Sequence, residues 1–494
     1  MRYPRSANAL ALPLLIVLAL ALRLLFYTGP IGSDDHDYYL GAHEIYEGIY
    51  HPADNYWKTR YGMLLPIAVS YAIFGTNEFA AAVWPMAGAL GAVAMCYALG
   101  KSLFDRRTGL LAALLLAFYP LDIHYSGLIL PDIPLSFLIA ACVLAFLRGS
   151  QSKRHTPALF FMSGLLLGAA YSCRSMAVIA LPFLFIYAAL FDRKLRPAYL
   201  FFGAGLLLVL FAEGLYYFLQ GLSPLHNFKL NANAAIAVNS AGECSTSLAY
   251  YPRAVFGDLA VFGPYFFLFV PAMLVSLIKR ERSALIMLAW AGTIILILQF
   301  GFVSFSPPIP IVKVRKFLNF ATVPLIVLAA WALMKLRGRL RWPVVAAVIA
   351  MSFYLIWPYR YSANMTPETS GANVRKVAAY LEELPPKPIY ADLRTTAMLM
   401  LASGFEMKSE QFRNLYTISS PEQLKDCYVV INRFYARFDS TNPYTRVPYV
   451  AAQYPIGVPP FWKGQRGKRG KGMTKKNRKT MKICVVRSLN RKGI

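Results

Sequence analysis

Charged residues are scarce in this chain of 494 residues. Only 15% are Asp, Glu, Lys or Arg, whereas 57% are hydrophobic and 14% are aromatic. A water-soluble surface of ordinary charge density cannot be built from so few charges. Hydrophobic runs recur from Leu10 to Trp357, and most are long enough to cross a hydrocarbon layer of about 30 Å. The sequence therefore predicts a polytopic membrane protein, in which the first run is a retained span and not a signal peptide.

Motifs for disulfides, metal sites and nucleotides are also missing. The six cysteines are scattered without a CxxC pair, and half of them lie within predicted spans. This distribution is typical of small apolar packing residues. The sequence has no convincing Walker loop and no Rossmann glycine fingerprint. These absences argue against a nucleotide cofactor and leave open whether a divalent cation takes part.

Acidic residues are in the minority, since 51 lysines and arginines face 24 acids and the formal net charge is +27. A nucleic-acid-binding protein gathers such charge on one face, but here most basic residues form short clusters between hydrophobic runs. Cytoplasmic loops of membrane proteins carry this excess of Lys and Arg. The clusters lie at residues 101–107, 148–154, 193–196, 279–282 and 335–341. We therefore predict contact with membrane lipids and no nucleic-acid partner.

The basic clusters also predict the number of crossings. If each cluster lies inside the cell together with Arg2 and Arg5, two spans must separate each neighbouring pair. About eleven hydrophobic runs meet this requirement, and an odd number places everything after Pro358 outside. The predicted spans are 9–28, 79–99, 108–124, 133–148, 157–173, 175–191, 198–219, 259–278, 284–303, 317–334 and 342–358. The predicted fold class is an α-helical polytopic protein of the plasma (inner) membrane, with its transmembrane domain at residues 1–358.

A soluble composition follows the last span. Residues 359–462 predict a helix with apolar positions at Val374, Val377, Ala378 and Leu381, a strand at 388–391, a helix at 395–402 and a strand at 427–432. Alternating helices and strands indicate a small α/β domain, and parity places it on the extracytoplasmic (periplasmic) side. Residues 463–494 contain thirteen basic residues and no acid. They predict a disordered tail that is either merely solvated or lies on anionic lipid headgroups.

Three loops on the predicted outer side are long or chemically unusual. The first loop, residues 29–77, contains a stretch at 60–74 that is too short to span and suits a helix lying at the membrane interface. The second loop, residues 220–258, is polar and rich in Asn and Ser. The third loop, residues 304–316, carries Lys313, Arg315 and Lys316 where the positive-inside rule predicts few cations. That exception indicates an anionic ligand.

The first loop begins with three carboxylates, Asp34, Asp35 and Asp37, directly after the first span. Crowded acids at a membrane surface are costly unless cations or a proton transfer make use of them. A plain solvated loop is the alternative. Lys58 and Arg60, later in the same loop, supply the cations that an anionic substrate requires.

Further ionisable residues fall near the predicted outer ends of spans. Asp122 and Asp132 bracket the turn between the third and fourth spans, and Asp132 either caps a helix or presents its carboxylate to a cavity. Arg174 lies where the fifth and sixth spans adjoin. Glu213 lies one or two turns inside the seventh span, where an ionisable residue is a functional candidate or the partner of a Lys or Arg.

Carboxylates and cations are thus predicted to share one face of the membrane. Such a cavity suits a phosphorylated lipid, because cations hold the phosphate while a carboxylate takes a proton from a hydroxyl nucleophile. With phosphate as the leaving group, the reaction requires no nucleotide.

Several segments carry a family resemblance. They are Asp34-Asp35 followed by Tyr38 and Ala42, RYGMLLP from Arg60, IFGTNEFAAAVWPMAGAL, LFDRRTGLLAALLLAFYP, LPDIPLSF with Asp132, and KVRKFLNFATVPLIVLAA. Together they resemble the multi-spanning GT-C glycosyltransferases, specifically the superfamily of protein O-mannosyltransferases and lipid A aminoarabinose transferases. That family usually has Asp-Glu in place of Asp34-Asp35 and a basic residue in place of Trp84.

The resemblance implies a polyprenyl-phosphate-sugar donor and an inverting transfer of a hexosyl or pentosyl group. The acceptor would be a cell-envelope lipid, glycan or protein on the extracytoplasmic face. The resemblance also implies Asp34 as the general base, with Asp35 and Asp132 organising the catalytic site. The predicted substrate-binding residues are Asp37, Lys58, Arg60, Arg174, Glu213, Lys313, Arg315 and Lys316.

Two other functions remain open on the sequence. A transporter or flippase of lipid-linked saccharides also uses broken helices and intramembrane charges. It would have internal repeats and charges deep in several spans, whereas no clear repeat is visible and the charges gather at span ends. A membrane scaffold would explain the soluble domain and the basic tail but would leave the acidic first loop without a role.

Overall fold

The structure is a computed structural model. It describes residues 10–27, 29–52, 55–152, 155–192, 197–240, 247–306, 308–357, 371–420, 423, 426–432, 456–457 and 484–487. Arg2, Arg5, Lys153, Arg154, Cys244, the cluster at 193–196 and most of the basic tail lie outside the described residues.

Helices lie on all eleven predicted spans. They are α1 (Ala11–Leu25), α4 (Glu78–Leu103), α5 (Arg106–Ala117) with α6 (Pro120–Ser126), α7 (Asp132–Gln151), α8 (Thr156–Cys173), a composite helix Ser175–Asp192 that contains α9 (Leu181–Ile186), α10 (Tyr199–Leu219), α13 (Leu259–Phe262) continuing into α14 (Phe266–Lys279), α15 (Arg282–Phe300), α16 (Asn319–Lys335) and α17 (Gly338–Ile356). Within the described chain, nine helices are long and apolar enough to cross a membrane, and the bent α5–α6 pair would make a tenth. The helix α1, with 15 residues, is shorter. The predicted helical membrane architecture is confirmed.

The third predicted span is a broken helix. The axes of α5 and α6 differ by 59°, and Pro120 is the first residue of α6. Proline lacks the backbone N–H that would continue the hydrogen bonding of α5, so the chain bends there. The bend places Asp122 on the short helix α6, within the protein interior.

Small residues let the membrane helices pack closely. A Cβ atom on Gly164 of α8 would lie 2.0 Å from the carbonyl oxygen of Phe202 in α10, and one on Gly205 of α10 would lie 2.2 Å from that of Phe161. Membrane helices associate through such close contacts, because lipid supplies no hydrophobic drive between them. The helices α7 and α16 are the most buried of the long helices. Their first residues therefore lie deep in the bundle.

The three long loops form ordered elements of their own. The first loop contains α2 (Asp35–Tyr46) and α3 (Tyr61–Phe74), and the second contains α11 (His226–Ser240) and α12 (Tyr250–Gly257). The third includes most of the hairpin of β1 (Phe302–Phe305) and β2 (Pro308–Pro310). A short 3₁₀ helix, Arg315–Leu318, leads into α16. The helix predicted at 60–74 is thus present as α3.

The C-terminal part forms a mixed five-stranded sheet. Its elements are α18 (Gly371–Glu382), β3 (Ile389–Ala391), α19 (Leu393–Ala402), β4 (Phe412–Asn414), β5 (Tyr428–Ile431), β6 (Ile456–Gly457) and β7 (Cys484–Arg487). The strand order is β4-β3-β5-β7-β6, with β3 parallel to β4 and β5 and with β7 antiparallel to β5 and β6. The four apolar positions predicted for α18 are all buried beneath this sheet. The strand β7 lies within the tail that the sequence predicted to be disordered.

The C-terminal part contacts the first loop. Arg375 of α18 forms an ion pair of 2.5 Å with Glu78 at the start of α4. Thr76 donates a hydrogen bond of 3.0 Å to the carbonyl oxygen of Gly404. The ring of Phe405 stacks on His43 of α2 with the ring centres 3.8 Å apart. The helix that follows Asp34 is therefore covered at its far end by the C-terminal part.

Candidate active site

Asp34 is the N-cap residue of α2, at the N-terminal end or entrance of that helix. It faces a cation from a distant part of the chain. The Nζ atom of Lys316, in the 3₁₀ helix before α16, lies 3.4 Å from its carboxylate. The side chain of Asp34 keeps 35% of its surface exposed. A bound substrate can therefore reach this carboxylate.

Asp132 lies opposite the same lysine but is enclosed. Its carboxylate is 2.9 Å from Nη1 of Arg174 and 4.0 Å from Nζ of Lys316, and its side chain has no exposed surface. Pro131 takes the N-cap position of α7, Asp132 is the first helical residue, and its Oδ2 atom has no hydrogen-bond partner among the described residues. Of the two alternatives for Asp132, the structure thus has the carboxylate facing cations. The enclosed carboxylate pairs with Arg174 and has Lys316 as a more distant neighbour.

The electrostatics of Asp34 follow from these neighbours. Burial by itself would raise its pKa, but the positive charges of Lys316, Arg60 and Arg174 outweigh burial and leave the pKa below its ordinary value. Asp34 is therefore ionised at neutral pH. Three cations, Lys316, Arg60 and Arg174, thus act on the Asp34 carboxylate, and such a cluster of cations suits an anionic ligand.

Arg60 completes this group from the first loop. Its guanidinium donates a hydrogen bond to the hydroxyl of Tyr38 and lies 5.2 Å from the ring centre of Tyr56. The approach of Arg60 to Arg174 depends on Gly62, because a Cβ atom there would lie 2.5 Å from the backbone nitrogen of Cys173. The sequence Arg-Tyr-Gly thus lets the first loop pack against the break that carries Arg174.

Asp35 and Asp37 have partners of their own. The buried carboxylate of Asp35 accepts hydrogen bonds from the backbone N–H groups of Ile31 (2.5 Å) and Ser33 (2.6 Å). Burial raises the pKa of Asp35, while the two backbone hydrogen bonds oppose that rise. Asp37 accepts a hydrogen bond of 2.8 Å from Asn55. These contacts fold the loop that presents Asp34.

Several predicted substrate-binding residues have other partners. Lys58 lies 2.5 Å from Glu44, and Arg315 is paired with Asp258 of the second loop. Lys313 is buried, and burial lowers its pKa. Lys58 and Arg315 thus pair with acids other than Asp34 and Asp132.

Glu213 of α10 lies in a separate polar network. Its carboxylate accepts hydrogen bonds from the side-chain amide of Asn227 and, at 3.5 Å, from Ser172. It lines two apolar clefts. The larger, of about 490 Å³, is lined by Ile45, Tyr50, Tyr61, Leu65, Glu213 and Tyr216 among others, and the smaller, of about 310 Å³, by Leu167, Leu181, Leu210, Glu213, Leu225 and Phe228 among others.

Asp122 is also apart from Asp34. It is fully paired with Arg23 of α1, and both side chains are almost completely enclosed. Sequence reasoning missed Arg23, because a single arginine in a hydrophobic run reads as the end of a span. Its lone position within that run is the signal that would have identified it, since an ionisable residue inside a membrane has a partner.

Other residues at the site were missed as well. The ring of Phe317 lies beneath the guanidinium of Arg174, and the guanidinium carbon is 4.7 Å from the ring centre. Asn227 joins the second loop to the first through a hydrogen bond with Thr59. Polar asparagines at a spacing of four, in Asn227 and Asn231 of α11, indicate one helix face. No sequence signal identifies Asp258 as the partner of Arg315.

The carboxylates do not form a metal centre. Within the described part of the chain, no group of three His, Cys, Asp or Glu side chains is placed to hold a metal ion. Asp34 and Asp132 face Lys316 and Arg174, so the positions beside them are taken by protein cations. The donor set around Asp34 therefore does not fit a bound divalent ion in this arrangement.

Comparison with known proteins identifies the fold. Residues 63–217 match the family described as dolichyl-phosphate-mannose-protein mannosyltransferase. No curated protein matches the sequence.

Solved structures with similar folds include ArnT from Cupriavidus metallidurans bound to undecaprenyl phosphate. It is 13% identical, with a TM-score of 0.64, and the match covers 99% of each chain. The oligosaccharyltransferase of Archaeoglobus fulgidus tethered to an acceptor peptide is 15% identical, with a TM-score of 0.55, over 92% of this chain and 72% of that one. An Archaeoglobus fulgidus AglB complex with an inhibitory peptide and a dolichol-phosphate is 14% identical, with a TM-score of 0.51, over 80% and 63%.

These matches confirm the resemblance seen in the sequence. The chain has the GT-C fold, and the family match covers α3 to α10, which includes Asp132, Arg174 and Glu213. It is a multi-pass membrane protein with the fold of these glycosyltransferases.

Proposed function

We propose that this protein transfers a sugar from a polyprenyl-phosphate donor to a cell-envelope lipid, glycan or protein, with inversion at the anomeric carbon, and that Asp34 is the general base. The observation that carries the proposal is the partly exposed Asp34 carboxylate beside three cations, Lys316, Arg60 and Arg174. The same small volume thus offers a proton acceptor and a binding place for a phosphate.

The reaction divides between these groups. Asp34 takes a proton from the hydroxyl or amine of the acceptor, whose oxygen or nitrogen forms a bond to the anomeric carbon. The bond between that carbon and the phosphate oxygen breaks, and the electron pair leaves with the polyprenyl phosphate. Lys316, Arg174 and Arg60 stabilise the negative charge that develops on the phosphate. The base and the leaving group act on opposite faces of the sugar, which gives inversion.

The depressed pKa of Asp34 also supports this division of roles. In the free protein the three cations make Asp34 a weak base. A bound phosphate neutralises those cations, so the pKa of Asp34 rises toward the range in which it accepts a proton more readily. The donor thereby strengthens the base that activates the acceptor.

The surrounding elements suit lipid and acceptor. The apolar cleft of about 490 Å³ is lined in part by Tyr61, which directly follows Arg60, and it offers walls for part of a lipid chain. The C-terminal part lies on α2 through Phe405 and His43. By the parity of the spans it is extracytoplasmic, where it would help to select the acceptor.

The test is transfer by full-length protein in liposomes that contain a radiolabelled polyprenyl-phosphate sugar and envelope extract as acceptor. Deletion-strain lipid and glycan profiling identifies the donor that accumulates and the sugar that is lost. We expect Asp34→Asn to reduce transfer about 1,000-fold or more, since a general base and its charge are both removed. Binding of undecaprenyl phosphate should persist.

Glu47→Gln is the matched control, because Glu47 follows the same helix and its side chain is about half exposed. It should transfer at the wild-type rate. Full turnover by Asp34→Asn would refute the assignment of the base. Movement of the lipid-linked sugar across the bilayer without transfer would favour a flippase.

A further inference from the structure

Asn227, in the second loop, connects three segments of the protein. Its side-chain amide donates to the carboxylate of Glu213 in α10, and its side-chain oxygen accepts a hydrogen bond of 2.8 Å from the hydroxyl of Thr59. Asn231, one turn further along α11, donates to the same side-chain oxygen. The hydroxyl of Ser175 lies 3.4 Å from the side-chain oxygen of Asn231.

The partners of this network adjoin the two arginines of the candidate site. Thr59 immediately precedes Arg60, and Ser175 immediately follows Arg174. Ser172, on the other side of Arg174, donates to Glu213. One helix of the second loop is therefore hydrogen-bonded directly to Thr59, before Arg60, and to Ser175, after Arg174, and it is linked to Ser172 through Glu213.

The network is buried, so the loss of one hydrogen-bond partner has a large effect on local stability. Asn227, Asn231 and Thr59 are buried, and Glu213 separates the two apolar clefts. Water does not readily replace a hydrogen bond in such surroundings, so a buried polar group that loses its partner is destabilised. The neighbouring backbone would shift to relieve it.

We infer that Asn227 is a positioning residue, which holds the segments of Arg60 and Arg174 at the separation that binds the donor phosphate. Glu213 fixes the orientation of the Asn227 amide from within the membrane helix. Asn227 itself has no contact with Asp34 or Lys316 among the described contacts. This inference rests on the proposed function and deepens it.

An exchange of chemical groups tests the inference. Asn227→Asp removes the amide donor and sets two carboxylates against each other. In Asn227→Asp combined with Glu213→Gln, the new glutamine amide donates to the new aspartate, which still accepts from Thr59 and Asn231. The double variant has the same net charge as the wild type. It therefore separates loss of the hydrogen bond from loss of charge balance.

The measurement is binding of undecaprenyl phosphate to the full-length protein in detergent, with thermal unfolding followed in parallel. We expect Asn227→Asp to weaken binding about tenfold, the usual effect of losing a hydrogen bond to a charged group. The double variant should recover most of that loss. In the transfer assay the effect should fall on KM for the donor and leave kcat nearly unchanged, because Asp34 is untouched.

Two further variants complete the design. Thr59→Val keeps the shape of Thr59 but removes its hydroxyl, and it should weaken binding in the same direction if Asn227→Asp does not fold. Asn233→Asp changes an exposed asparagine on the same helix and should bind like the wild type.

Equal binding by the wild type, Asn227→Asp and Thr59→Val would overturn the inference while the proposed function stands. A double variant that regains its thermal stability but binds no better than Asn227→Asp would also overturn it, because the inference requires that restoring this hydrogen bond restores binding. A wild-type protein that binds no undecaprenyl phosphate would contradict both this inference and the proposed function.

Discussion

Two groups of charged side chains in this protein differ in composition and in exposure to solvent. In the interior, Arg23 and Asp122 form a one-to-one pair, and each side chain is enclosed. At the entrance to α2, the two carboxylates of Asp34 and Asp132 are surrounded by three cations, and Asp34 is partly exposed. The first group is complete without a ligand. The second has three cations beside a carboxylate that a ligand can reach.

The difference indicates how to tell structural from functional charges in a membrane protein. Taking a charge out of water is costly, so an enclosed charge needs a partner of opposite sign. A balanced pair meets that need and leaves nothing for a substrate. A group of several cations beside an accessible carboxylate can in addition bind an anionic ligand.

The largest effect is expected from breaking the balanced pair. Arg23→Met leaves Asp122 enclosed without its partner and should destabilise the protein by about 3–5 kcal/mol. The combined variant Arg23→Met with Asp122→Leu should regain most of that stability, because no charge remains to be compensated. Thermal unfolding in detergent and transfer activity measure the two outcomes.

If the double variant were stable but inactive, the Arg23–Asp122 pair would belong to the chemistry, and the contrast between the two groups would be lost. Asp122 would then return to the candidate site, as the sequence had suggested.

A smaller effect is expected from removing one of the cations around Asp34. Lys316→Met removes a cation that lies 3.4 Å from Asp34 and 4.0 Å from Asp132. It should weaken binding of undecaprenyl phosphate about tenfold to a hundredfold, the range for one charged hydrogen bond in a partly buried site. Unfolding temperature should change little, since Arg174 still pairs with Asp132.

Lys335→Met is the control for this prediction. Lys335 lies at the other end of α16, where it forms a solvent-exposed pair with Glu281. Such pairs contribute about 0–1 kcal/mol, and binding of the lipid should not change. A loss of affinity equal to that of Lys316→Met would indicate a general effect of charge.

The smallest effect concerns pH. The three cations hold the pKa of Asp34 below its ordinary value in the free protein, so the carboxylate stays ionised as the pH falls. The acid limb of kcat/KM should therefore lie below pH 4 or so. In the donor complex the phosphate neutralises the cations, the pKa rises, and the acid limb of kcat should lie about one unit higher.

This pH dependence is measured in the liposome assay over the acid range, with the stability of the protein checked at each pH. Coincident acid limbs for kcat and kcat/KM would show that donor binding does not change the charge around Asp34.

Much of the membrane architecture could be predicted from hydropathy and from the basic clusters, because lipid requires long apolar helices and topology sorts the lysines. The residues that meet at the entrance to α2 were also candidates in the sequence, namely Asp34, Asp132, Arg60, Arg174 and Lys316. Their pairing was not. Lys58 and Arg315 looked equivalent to Lys316, but each has an acidic partner elsewhere.

The sequence by itself determined that the chain crosses the membrane many times and that acids and cations gather at span ends. Hydrophobicity and charge act locally, so they can be read residue by residue. The tertiary structure alone decided which charges neutralise one another, since Lys316 and Asp34 are 282 positions apart and Arg23 and Asp122 are 99 apart. Pairing energy depends on distance and burial in space, and neither is a property of position in the chain.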